Sequence, residues 1–227
     1  PQQLKLTLRW ENTELENPGN LLAMAGEKPR LFVVANSQTA VELDAAGKVV
    51  AKHKPELPPG GSFAWLRTTS DKHGKSLFLA GGPLAAQVYV MDEEWKVLQA
   101  YPPLDQRHEG VRDAQLFDLD RDGTPELYVG FWSLHGVHGV TLDGQRIFRQ
   151  RTRPTILSLA VTRASDFDPQ LLLTTPNGGI VPLNRFGNFD PEVTVGEHPI
   201  VQLTTAGYDN PKALAKSRYA ALSQTAQ

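Results

Sequence analysis

Four apolar strands of similar form recur through this chain, and their even spacing restricts its possible folds more than any other feature. Leu31–Ala35, Leu77–Gly81, Leu127–Phe131 and Leu171–Thr175 begin 46, 50 and 44 residues apart. Repeats of roughly 40 to 50 residues are the span of a four-stranded propeller blade. A second strand follows each: Ala40–Asp44, Gln87–Asp92, Gly139–Asp143 and Gly179–Asn184. Turns rich in Asp, Asn and Gly come next, at Asp44–Gly47, Asp92–Trp95, Asp143–Gln145 and Asn184–Gly187, and lead to outer strands such as Lys48–Ala51 and Arg146–Arg149. Upstream strands at Leu21–Met24, Ser62–Leu66, Ala114–Phe117, Leu157–Val161 and Val201–Thr204 complete the units. The expected fold class is therefore all-β: a β-propeller of four-stranded antiparallel blades, with blades over 20–58, 61–103, 111–153 and 156–195. A fifth unit begins near residue 200. Leu4–Trp10 alternates apolar and polar residues as an outer strand should, and is expected to complete this unit over 200–227 by closing a five-bladed ring. The alternative is a piece of a larger propeller. The tail Lys212–Leu222 suits a helix as well as the strand that the repeat requires.

The loop after the upstream strand of the third unit reads Asp118-Leu119-Asp120-Arg121-Asp122-Gly123-Thr124-Pro125-Glu126. Carboxylates at positions 1, 3, 5 and 9 of one tight loop repel one another, whereas a divalent cation takes oxygens from several carboxylates, a backbone carbonyl and water. Gly123 supplies the turn, since without a Cβ it tolerates positive φ and lets the Thr124 carbonyl serve as position 7. An EF-hand shares this start but needs a glutamate at position 12 and flanking helices. Position 12 here is Val129, and both flanks read as strands. Calcium is preferred to magnesium because flexible carboxylate and carbonyl oxygens suit its larger coordination number. The other units carry Ser70–Gly74, Ser165–Pro169 and Tyr208–Pro211 at this place, which lack most of the oxygens, so one metal loop is expected.

With its D-x-D-x-D-G-x-x-E loop between two strands, the chain resembles the FG-GAP or VCBS family, the calcium-binding β-propeller repeats also found in integrin α-chain heads. The resemblance implies Asp118, Asp120, Asp122, Thr124 and Glu126 as ligands of a structural Ca2+ at the corner of a propeller blade. The repeated L-D-x-x-G turns also resemble those of quinoprotein-like propellers.

A net charge of −2 gives no general reason to expect nucleic acid as a partner, and zero cysteines exclude disulfides, thiolate metal sites and cysteine nucleophiles together. No apolar run approaches the ~20 residues of a membrane-spanning helix, so membrane insertion is not expected. A chain that starts at Pro1 is expected to be a processed or excised piece, joined to other domains of the same polypeptide. His135 and His138 form an H-x-x-H that reads as a loop feature, since neither a carboxylate nor a third histidine adjoins them in sequence. Arg146, Arg149, Arg151 and Arg153 are candidates for an anion, with the last three on one face of an extended strand, and they also suit a charged edge that blocks strand addition. No serine elbow or paired-carboxylate pattern is found. The expected function is thus a non-catalytic, calcium-stabilised module binding a protein or glycan, extracellular or periplasmic because weak calcium modules work where calcium is abundant. The alternative is part of a quinoprotein-like oxidoreductase or of a polysaccharide-acting propeller enzyme.

Overall fold

The computed structural model describes residues 7–25, 29–151, 155–163, 169–206 and 218–223, and almost all regular structure in them is β. The first sheet holds β1 (Leu21–Met24), β2 (Arg30–Ala35), β3 (Thr39–Leu43) and β4 (Val49–His53). The second holds β5 (Trp65–Ser70), β6 (Ser76–Gly81), β7 (Val88–Met91) and β8 (Val97–Tyr101). The third holds β9 (Val111–Phe117), β10 (Glu126–Phe131), β11 (Val137–Val140) and β12 (Arg146–Gln150). The fourth holds β13 (Ser158–Arg163), β14 (Pro169–Thr174), β15 (Gly179–Leu183) and β16 (Val193–Thr194). A two-stranded sheet of β17 (Ile200–Ala206) and β18 (Arg218–Ser223) follows. A single 3₁₀ turn, Ser133–His135, is the one helical element among the described residues.

Each sheet is an antiparallel meander in sequence order. Loops between first and second strands therefore emerge on the same face as the third-to-fourth turns, and the remaining connections lie on the opposite face. The first strands neighbour one another in succession, β1 by β5, β5 by β9, β9 by β13 and β13 by β17, which sets the sheets side by side about a common axis as a β-propeller. The second strands are apolar beyond their first residues because both faces are covered, by adjacent sheets or, on one face of β2, by Trp10 and Leu15; every residue of β10 is buried. The core accordingly lies in the seams. Phe32, Phe63, Phe78, Tyr89 and Trp95 fill the seam between the first two sheets, Leu79, Val90, Val129 and Val140 the next, and Tyr128, Leu159, Leu173 and Val181 the third.

One expectation about the ends differs from the structure, and one open alternative is decided by it. Residues 7–10 form no strand. Trp10 instead packs on the first sheet, against Val33, Val41 and Leu43, with its ring over Gly47, where a Cβ would come within 2.3 Å of the indole. For Thr7–Trp10 the structure thus shows packing on that turn and no strand pairing; Leu4–Leu6 lie outside the described residues. In the tail, Arg218–Ser223 is a strand, not a helix, paired antiparallel with β17; Lys212–Ser217 lie outside the described residues.

The turns between third and fourth strands share one backbone. In Asp44–Lys48, Asp92–Lys96 and Asn184–Asn188 the first side-chain oxygen accepts the N–H groups two and four residues on, at 2.8–3.1 Å. The third sheet builds the same turn from Thr141, not Asp143: Gln145 N–H donates to Thr141 Oγ1 at 3.0 Å and Gly144 N–H to its carbonyl at 3.0 Å. The fourth position has positive φ in all four, filled by Gly47, Trp95, Gly144 and Gly187. Trp95 holds this conformation at φ 65° while stacked against Phe78 and His53, with centroids 4.3 and 4.8 Å away. Just beyond the turn, the first three sheets carry a β-bulge whose extra residues, Val50, Leu98 and Ile147, are exposed despite being apolar.

Candidate metal centre

The acidic loop joins β9 to β10 and is gathered by its own backbone. Asp118 Oδ2 accepts Gly123 N–H at 2.9 Å, Asp120 Oδ1 accepts Asp122 N–H at 3.1 Å, and Asp122 Oδ1 accepts Thr124 N–H at 2.6 Å. Arg121 and Gly123 take φ of 68° and 88°, which curls the chain around the carboxylates. One oxygen from each of Asp118, Asp120, Asp122 and Glu126 lies within 4.8 Å of all the others, the one such group among the described residues. The loop also leans on the second sheet. Lys72 N–H donates to the Gly123 carbonyl at 3.0 Å, and a Cβ at Gly123 would come within 2.9 Å of Lys72 Cβ.

Glu126 lies at the base of this loop. It is 6% exposed, and its Oε2 accepts the Tyr128 hydroxyl at 2.8 Å and Leu119 N–H at 3.1 Å. Burial pushes its carboxyl up to about 7, with the Asp120 and Asp118 charges acting in the same direction against those two donors. Burial likewise raises the Asp118 carboxyl, with Asp120 and Asp122 adding to it. Asp118 Oδ1 is buried and meets no donor. A carboxylate oxygen turned inward among three other carboxylates, with no N–H to receive, fits a hard cation. These four side chains would hold the ion, with the Thr124 carbonyl as the fifth expected ligand; a bound cation would cancel the mutual repulsion and fix the hairpin. The corresponding Asp71 in the second sheet instead accepts His73 and Lys75 N–H in a short turn. Ser165–Asp168 and Tyr208–Pro211 lie outside the described residues.

The two histidines serve different partners. His138 is fully buried and its Nδ1 meets the Tyr101 hydroxyl at 2.8 Å, whereas His135 Nδ1 pairs with Glu109 at 3.1 Å. Arg146, Arg149 and Arg151 stand along and just past β12, while Arg153 lies outside the described residues.

A polar chain not evident in the sequence links the first strands. Arg67 of β5 pairs with Asp113 of β9 at 2.7 Å and also donates to the Ala114 carbonyl. Asp113 Oδ2 accepts Ser158 Oγ at 3.0 Å and Leu159 N–H at 2.7 Å from β13, and Ser158 Oγ in turn accepts Leu203 N–H from β17 at 3.0 Å. Asp113 is 5% exposed and both its oxygens are engaged, so it binds sheets together and is not open to a substrate. Nothing local marks it, because its partners on other sheets lie 45 or more residues away.

No family model matches the chain, and no curated protein sequence matches it. Solved structures do. BBS1N in complex with ARL6DN matches in a crystal soaked with lead, with TM-score 0.67 and 12% identity over 99% of this chain and 63% of that one. The same complex soaked with mercury matches with TM-score 0.61 and 14% identity over 90% and 58%. The V. cholerae biofilm matrix protein Bap1 matches with TM-score 0.51 and 17% identity over 80% and 29%. The chain thus spans less than two thirds of each. At these identities the likeness establishes the fold, a β-propeller, and no described helix is long and apolar enough to cross a membrane.

Proposed function

We propose that this chain is a non-catalytic binding module whose third blade is stabilised by a structural calcium ion held by Asp118, Asp120, Asp122, Glu126 and the Thr124 carbonyl. The observation that carries this reading is the buried, donorless Asp118 Oδ1 within a ring of carboxylates. The FG-GAP or VCBS resemblance of the loop supports the same ion, and a site of this type serves best in an extracellular or periplasmic setting. A protein partner is favoured by Leu84, Leu104, Trp132 and Leu134, which are exposed on loops of the face opposite the metal loop. BBS1N, a structural neighbour, was solved bound to ARL6DN.

The test is the melting temperature of the parent and of Asp120→Ala, each with calcium and with chelator. Calcium at about 100 times its dissociation constant stabilises by about 2.7 kcal/mol, which for a chain of this size is roughly 5–10 °C. The variant should show no calcium response, and in chelator it should melt no lower than the parent, because one repelling charge has gone. Equal melting of the parent with and without calcium sinks the reading.

A further inference from the structure

We propose that the seam between the outer strands of the second and third sheets binds a tetrahedral oxyanion, sulfate or phosphate, between Arg146 and Arg149, with Arg151 at its rim. The site shares no residue with the acidic loop and does not depend on the calcium reading.

The bulge in β12 creates the pairing of the arginines. Residues three apart on a regular strand point to opposite faces, so Arg146 and Arg149 would be separated. Here Arg149 pairs with His138 and Arg146 with Val140, because Ile147 is the extra, unpaired residue between Phe148 and Arg146. His138 and Val140 share one face of β11, and Val140 packs into the core against the second sheet. Both arginines thus stand on the side of Tyr101, close enough for their charges to act on its phenol.

The groups collected there are donors. Tyr101 Oη and His138 Nδ1 share one hydrogen bond of 2.8 Å; with the phenol as its donor, the imidazole hydrogen sits on Nε2. His138 Nε2 is buried without a partner, and so is Arg149 Nε. The ion pairs among the described residues are Arg30–Glu42, His53–Glu42, Arg67–Asp113 and His135–Glu109, so no described carboxylate pairs with Arg146, Arg149 or Arg151. A stripe of charge that served only to guard a strand edge would point to water, whereas Arg149 Nε is buried and unpartnered, as is Nε2 of His138, its neighbour across the ladder. An oxyanion accepts from several such donors at once and neutralises the guanidiniums, which water does not do.

The experiment is calorimetric titration of the full chain, in chelator, with sulfate, phosphate and chloride at constant ionic strength. Saturable binding of sulfate or phosphate but not chloride is expected, at least tenfold weaker in Arg146→Gln and in Arg149→Gln and unchanged in Arg185→Gln, an exposed arginine stacked on Phe186. Because Arg149 is half-buried and its substitution can disturb folding, the Arg149 Nε–H resonance of the parent is followed in parallel and should shift as sulfate saturates. No saturable oxyanion binding, binding undiminished in Arg146→Gln, or an unmoved Arg149 resonance would each overturn the proposal.

Discussion

His138 is neutral in the folded protein because burial, and after it the charges of Arg149, Arg146, His135 and Arg151, lower its pKa to about 3. In the unfolded chain the same imidazole titrates near 6.5. The native state therefore binds fewer protons than the unfolded one below that pH, and the stability that His138 contributes is whole above about 6.5 and is lost as pH falls towards about 3. Glu126 acts in the opposite sense. Its raised carboxyl holds a proton more readily folded than unfolded, so its contribution declines as pH rises from about 4.5 to about 7. Comparing the urea midpoint of the parent and His138→Gln across pH 7 to 4 cancels the Glu126 effect. The parent should lose on the order of 2–3 kcal/mol more than the variant over this range; parallel curves would show that His138 takes up no proton on unfolding.

At the scale of elements, each sheet is tied to its neighbours by polar contacts from its first strand as well as by apolar packing. Asn20, immediately before β1, exchanges hydrogen bonds with Leu66 of β5 at 2.7 and 2.8 Å, and Asp113 links β5, β9 and β13. Replacing Asp113 with Ala leaves Arg67 partly buried without its countercharge and removes the acceptor for Ser158 and Leu159. Chemical denaturation should show a loss of about 3–5 kcal/mol; a loss below about 1 kcal/mol would mean that the contact is incidental. These links also mark how far the sequence could be read. Second strands were legible because a strand covered on both sides is a nearly continuous apolar run, and the acidic loop because its carboxylates fall within nine residues. The third-sheet turn was placed two residues late, since Thr141 does with a hydroxyl what Asp44, Asp92 and Asn184 do with an amide or carboxylate oxygen. The bulge that brings Arg146 beside Arg149 is a property of pairing, and the Asp113 links span distant repeats, so neither has a local signature.

Over the whole molecule, stability is distributed along the seams, and each sheet depends on the ones beside it. The acidic loop belongs to the third sheet but accepts Lys72 N–H from the second. Hydrogen exchange should therefore slow on adding calcium not only at Asp122, Gly123 and Thr124 but also at Lys72, across the seam. Protection confined to the loop itself would show that the two sheets are uncoupled there. The common backbone of Asp44–Lys48, Asp92–Lys96, Thr141–Gln145 and Asn184–Asn188 has a practical side. Four pentapeptides with one hydrogen-bond pattern, one per four-stranded sheet on a single face, have exposed third residues, Ala46, Glu94, Asp143 and Phe186, which makes the molecule a scaffold for tetravalent display.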